Sequence, residues 1–235
     1  MVSRLETGRL EELEQLEENL FIVRGAIEVL PIGRIMTIVR LSDGDLVVHS
    51  AVAGPASLME QIDALGPVRY LVVPNFGHKM DAPWYQERYP GARVVCPEVG
   101  RKKVAEVVAV AGGYELLPTD LGLNWELLDG APAEGVFRVT HDDSSVSLLF
   151  TDALLNLPDQ LPGFKGWLTR ILGSTGGPKV TRIARTFLVK DQRALGAHLR
   201  RLAETPGLKR LIVGHGNLVE DDARGVLLRV ADTLR

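Results

Sequence analysis

The stretch that decides the fold is Thr140-His141-Asp142-Asp143-Ser144-Ser145-Val146-Ser147-Leu148-Leu149-Phe150-Thr151-Asp152. One apolar run, Val136–Thr140, ends there on a histidine. A second, Val146–Phe150, ends on an aspartate. Short apolar runs of this kind read as buried strands. The arrangement recurs along the chain. Leu46-Val47-Val48 runs into His49. Leu71-Val72-Val73 runs through Pro74-Asn75-Phe76-Gly77 into His78, and Leu211-Ile212-Val213-Gly214 runs into His215. Of the five histidines only His198 falls inside a predicted helix, Ala194–Ala203, where it reads as an ordinary surface residue.

In α/β sheets the loops beyond the carboxyl ends of strands converge on one crevice, and side chains on rigid strand ends hold their geometry. Imidazole and carboxylate are ligands that suit zinc, iron or manganese. His78, His141, Asp152 and His215 are therefore a candidate dispersed metal site, provided that the sheet order brings them to one point. Each has a plainer reading. A histidine after a strand commonly bonds to backbone, which is how His49 reads, and Asp152 is suited to capping a turn at Ala153–Leu155.

Working outward, the leucines at 10, 13, 16 and 20 recur among glutamates and predict an opening amphipathic helix. Phe21–Val23 and Ile35–Leu41 read as strands, and Asp43-Gly44 before Leu46–Val48 as a two-residue hairpin. Pro55 opens a helix whose apolar face is Leu58, Met59, Ile62 and Leu65, and Gly66 stops it. A short helix near Ala82–Arg88 precedes a strand at Arg93–Cys96 and a helix over Pro97–Val110. Strands follow at Leu123–Leu128 and Leu208–Val213, and the last helix spans Leu218–Leu234. Residues 156–186 are rich in Gly and Pro and read as an irregular lid or binding loop. Hairpins in front and strand–helix alternation elsewhere imply a mixed sheet in an α/β domain.

Composition narrows the function classes. The 235 residues carry 27 Lys and Arg against 30 Asp and Glu, a net charge of −3, so no basic excess points to nucleic acid or an acidic membrane. No run reaches ~18 apolar residues, and the acidic start has no apolar signal region. The single cysteine, Cys96, excludes an internal disulfide framework and suits a reducing compartment. Ending a strand, Cys96 reads as core. The expectation is a single cytoplasmic domain over residues 1–235, with neither a membrane nor a nucleic-acid partner. Oligomeric state is not legible.

The stretch 140–152 resembles the metallo-β-lactamase-fold hydrolases, in which one strand ends in G-H-T-x-G-S and the next in G-D. Gly214-His215-Gly216 is similar to the late P-G-H-G motif of that superfamily, and Leu71–Pro97 to its second strand, metal loop, helix and third strand. Pro74-Asn75-Phe76-Gly77-His78 resembles a subgroup marked by P-N-x-x-H. The resemblance implies an αββα sandwich of two mixed sheets flanked by helices, with the metal site at one edge. It implies His141 as a ligand of a first metal, Asp152 as the bridging carboxylate and His215 as a ligand of a second.

The departures matter as much. Against H-x-H-x-D-H the chain offers Asn75-Phe76-Gly77-His78-Lys79-Met80-Asp81, with one histidine. Its register fits either the second or the last histidine of the signature. The early D-x-G is replaced by His49-Ser50-Ala51. With His78, His141, Asp152 and His215 as donors, one divalent metal (Zn, Fe or Mn) is expected rather than two.

The chemistry implied is metal-assisted hydrolysis of a small molecule. Asp81 or Asp142 would take a proton from water, and Asn75 would either donate to a developing oxyanion or cap its loop. Lys165, Arg170, Lys179, Arg182 and Arg185 would draw an anionic substrate to a lid holding Phe164 and Trp167, or form a solvated face. Gly173–Lys179 fails the nucleotide-loop pattern, because Pro178 replaces the second glycine. The competing reading is a metal-free binding or scaffolding protein that keeps the fold.

Overall fold

The computed structural model describes residues 12–235 apart from 28–29, 160, 162, 164–165, 167–169 and 172. The chain divides into two compact units, Met1–Val29 with Gly33–Gly122, and Leu30–Ile32 with Leu123–Arg235. Each unit has its own mixed sheet, helices and core.

The first sheet runs in chain order: β1 (Glu14–Glu17), β2 (Leu20–Ile27), β3 (Leu30–Arg40), β4 (Leu46–His49), β5 (Val68–Val72) and β6 (Arg93–Val95). β3 and β4 are antiparallel, and β4, β5 and β6 are parallel. The predicted opening helix is replaced by β1, whose Glu14 and Gln15 pair with Ile22 and Phe21. Pairing with a strand as buried as Leu20–Val23 overrides the local leucine spacing. Leu10 lies outside the described residues. The hairpin after β3 is longer than expected. The Leu41 N–H still bonds to the Asp45 carbonyl at 2.9 Å, so Ser42, Asp43 and Gly44 form the loop, with Gly44 at φ 89. A three-residue loop puts glycine at that left-handed position.

α1 (Ala56–Leu65) follows Pro55 and buries Leu58, Met59 and Ile62 in one core with Val48, Leu71 and Val94. Gly66 ends it at φ 148. A Cβ there would stand 2.2 Å from the Gly44 carbonyl oxygen, so only glycine fits. α2 (Ala82–Arg88) follows as expected. The helix expected over 97–110 is reduced to a 3-10 turn and α3 (Arg101–Val104). The chain must return to β6, where the Ala111 N–H bonds to Val94 and the Cys96 N–H to Gly112. Cys96 is fully buried, and burial raises its thiol pKa.

In the second unit β7 (Leu123–Leu128), β8 (Ala131–Thr140) and β9 (Val146–Leu149) are antiparallel neighbours. The segment 156–186, expected to be irregular, contains part of a two-stranded ribbon, β10 (Leu155–Leu157) with β11 (Gly177–Lys179), and α4 (Arg182–Phe187). The Thr181 side chain caps α4 by accepting the Ala184 N–H at 3.1 Å. Phe164, Lys165 and Trp167 lie outside the described residues. α5 (Gln192–Ala203) leads to β12 (Leu208–Ile212), which runs parallel to β9, and α6 (Ala223–Asp232) follows. Leu195, Leu199, Leu227 and Val230 of the two helices share one core with Leu148, Phe150 and Leu211. Phe150 is 1% exposed. Its replacement by alanine is expected to destabilise the protein by about 3–5 kcal/mol, measured by urea unfolding. No helix of the described residues is long and apolar enough to cross a membrane.

His198 is not a surface residue. It is 1% exposed, and its Nδ1 accepts the Asp129 N–H at 2.9 Å. Its place was legible, because Leu195, His198, Leu199 and Leu202 follow the i, i+3, i+4, i+7 stripe of a buried helix face. Burial lowers its pKa from the usual 6.5, partly opposed by Glu126 and Asp129. The unfolded chain therefore binds the extra proton, and stability falls as pH drops through about 6.5. His198→Gln is expected to weaken that dependence. The check is the urea midpoint of both proteins at pH 7.5 and 5.5.

Candidate metal centre

The parallel pairing of β9 and β12 sets Leu149 beside Ile212. Asp152 stands three residues beyond Leu149 and His215 three beyond Ile212, so the two chain ends carry them forward in step. The Phe150 N–H bonds to Ile212 at 2.8 Å and the Gly214 N–H to Thr151 at 3.3 Å, extending the contact. As a result His215 Nε2 lies 3.1 Å from Asp152 Oδ1, with the imidazole buried and the carboxylate side chain 26% exposed. Two ligands at zinc distances on a tetrahedral ion stand about 3.3 Å apart, so the spacing and the donor types fit one divalent metal.

The backbone around His215 is tightly held. The Asn156 N–H of β10 bonds to the His215 carbonyl at 3.2 Å, and the Asn217 N–H to Asn156 at 2.9 Å. Gly216 sits at φ 101, and a Cβ there would lie 2.0 Å from the Asn156 carbonyl oxygen. The glycine of Gly214-His215-Gly216 is thus a steric requirement of the turn that aims the histidine.

One residue was missed by the sequence reading. Glu134 of β8 is fully buried, and its carboxylate accepts the Asp152 N–H at 3.0 Å and the Ala153 N–H at 2.7 Å. The only signal was a lone carboxylate inside the apolar stretch Ala131–Val139.

The β8–β9 register separates His141 from this pair, against the sequence expectation. Thr140 faces Val146 and Phe137 faces Leu149, so His141 sits at the hairpin tip, while Asp152 leaves the far end beside Glu134. Seven residues of strand, from 134 to 141, span roughly 20 Å. Antiparallel neighbours place their carboxyl ends at opposite edges, so the convergence of strand ends does not extend from β9 to β8. His141 is buried with its Nε2 2.9 Å from Ser147 Oγ. Its own N–H bonds to the Ser145 carbonyl at 3.0 Å. Asp142 lies exposed in the same turn and is equally far from Asp152.

In the first unit His78 closes the 3-10 turn Phe76–His78. Asn75 is a loop cap, its Oδ1 accepting the Gly77 N–H at 2.7 Å. The buried His78 ring has Nδ1 2.5 Å from Ser50 Oγ. Ser50 holds a left-handed φ of 59 just beyond β4, with its N–H on Val72 at 3.0 Å. A hydrogen bond on one ring nitrogen sets the tautomer and directs Nε2 toward any ligand. His49 is also buried. Burial, and then the nearby His78, push its pKa down to about 3, so it is neutral at ordinary pH. Asp81 pairs with the Arg34 guanidinium and accepts the Ala53 N–H at 3.2 Å, which commits it to tying β3 and the chain before α1 to the start of α2. Lys79 bonds to the Lys103 carbonyl at 2.6 Å and to Glu106 at 3.3 Å.

Of the basic lid residues, Lys179 bonds to the Thr175 carbonyl, and Arg185 donates to Val180 at 3.2 Å and Thr233 at 3.1 Å. Both cations are thus engaged within the second unit.

A family model described as a domain of unknown function, DUF4336, matches residues 16–99. No curated protein matches the chain. Solved structures do. A metallo-β-lactamase from Pontibacter korlensis is 14% identical, with a TM-score of 0.61 over 95% of this chain and 99% of that one. The DIM-1 metallo-β-lactamase is 12% identical, with a TM-score of 0.61 over 96% of this chain and 100% of the other. One from Hirschia baltica is 10% identical at 0.59, covering 94% and 97%. The chain therefore has the metallo-β-lactamase-like fold that the sequence resemblance implied.

Proposed function

We propose that the chain is a metal-dependent hydrolase with a reduced, mononuclear site in which Asp152 and His215 hold one divalent metal. The observation that carries the reading is the 3.1 Å Asp152–His215 pair, set at the ends of two parallel strands and partly open to solvent. The likeness in fold to metallo-β-lactamases supports the same class of chemistry. Coordination positions beyond these two donors are left for water or substrate. When bound, such a metal supplies Lewis-acid polarisation and lowers the pKa of its water to ~7.

The chain's own residues do the remaining work. Asp152 brings a negative charge, and the strand pairing fixes its distance to His215. Asp81 and Asp142 are not assigned the role of base, since one is paired with Arg34 and the other lies at the distal hairpin. Asn75 Oδ1 caps its own loop. The substrate is a small molecule with an ester, thioester, amide or phosphoester bond, and a cytoplasmic setting fits the lone buried Cys96. One observation favours the metal-free alternative: His215 Nε2 and Asp152 Oδ1, 3.1 Å apart, are within hydrogen-bond reach of each other without a metal.

The test is turnover of a nitrophenyl ester and of a bis-nitrophenyl phosphate by chelator-stripped protein, before and after addition of zinc, manganese or ferrous iron. The proposal expects hydrolysis of at least one substrate that appears only with metal. Equal rates with and without every metal would reject it.

A further inference from the structure

We infer that Glu134 is a positioning residue for the metal pair, an inference that rests on the metal reading above. Its side chain has no surface exposure, and it lies on β8, the strand beside β9, whose chain runs on to Asp152. Both of its oxygens approach the Asp152 N–H, at 3.2 and 3.0 Å, and one also accepts the Ala153 N–H at 2.7 Å.

A turn needing two N–H acceptors can be capped by a neutral side chain. Burying a carboxylate instead costs several kcal/mol unless its charge is compensated. Here the amides of Asp152 and Ala153 supply part of that compensation. The carboxylate thus fixes the backbone from which Asp152 projects toward His215, and it adds buried negative charge beside the position a cation would take. Partners of this kind orient metal ligands, and their removal costs roughly 10–100-fold in metal affinity.

The experiment is zinc binding by competition with a chromophoric chelator, on the full chain and on Glu134→Gln, with thermal melts of both metal-free proteins. The glutamine keeps the shape but turns an N–H₂ toward one of the amides. The inference expects zinc affinity to fall about 10–100-fold, while the metal-free melt moves by only a few degrees. Unchanged affinity in the variant overturns the role of Glu134 and leaves the metal site standing. Absence of zinc binding in the unaltered chain rejects the metal reading, and this inference with it. If Glu134→Gln does not fold, Glu134→Asp takes its place. It keeps the charge but withdraws it by one methylene, and the same two outcomes decide.

Discussion

Asp152→Ala is expected to lower zinc affinity on the order of 100-fold or more, beyond the loss from removing a supporting residue. The carboxylate is one of two donors held 3.1 Å apart, and the remaining His215 cannot supply the lost charge. Asp152 is partly exposed and its backbone is anchored through Glu134, so the fold survives. The metal-free protein should lose about 1 kcal/mol or less in urea unfolding. His215→Ala should give a comparable loss of metal, and the double variant little more than either single one, because the two groups act on one ion. Chelator competition on the three variants checks all of this. If either single variant binds zinc as tightly as the parent chain, that residue does not hold the metal.

Gly216→Ala carries the second large effect. At φ 101 the new methyl group would meet the Asn156 carbonyl oxygen at 2.0 Å, and that atom belongs to β10 rather than to a flexible side chain. A left-handed conformation for a residue with a Cβ costs about 1–3 kcal/mol, and relieving the clash adds to it. The expected destabilisation is about 2–4 kcal/mol by urea unfolding. The turn that aims His215 should shift with it, so zinc affinity should fall as well. Gly44→Ala is the control. It also has positive φ, at 89, but an added Cβ there meets nothing within 4 Å. It should lose about 1 kcal/mol and leave metal binding intact.

The architecture was legible where apolar runs and breakers agree. Leu58, Met59 and Ile62 between Pro55 and Gly66 specify one helix, and the apolar run Leu211-Ile212-Val213 marks the strand that begins at Leu208. It was illegible where pairing decides. Glu14–Glu17 has helical leucine spacing, yet it pairs with β2. Residues 105–110 leave the helix because the next segment bonds to β6. The site divides in the same way. The nearness of Asp152 to His215 was legible because parallel strands put their carboxyl ends side by side. His141 was placed with them because the sequence does not state that β8 and β9 run antiparallel through a tight turn. Glu134 escaped because a carboxylate within a strand carries no motif, and its role exists only through amides eighteen and nineteen residues away.

The most direct measurement is the metal content of the full chain purified without chelator, by elemental analysis, together with its melting temperature before and after EDTA. Binding confined to the folded state stabilises it by mass action, about 2.7 kcal/mol at a hundredfold excess of metal over Kd. The account expects close to one equivalent of zinc, iron or manganese per chain, and a melt that drops by several degrees on chelation and returns when metal is restored. A protein free of metal as purified, that gains none from added zinc and melts at the same temperature with and without EDTA, would contradict it.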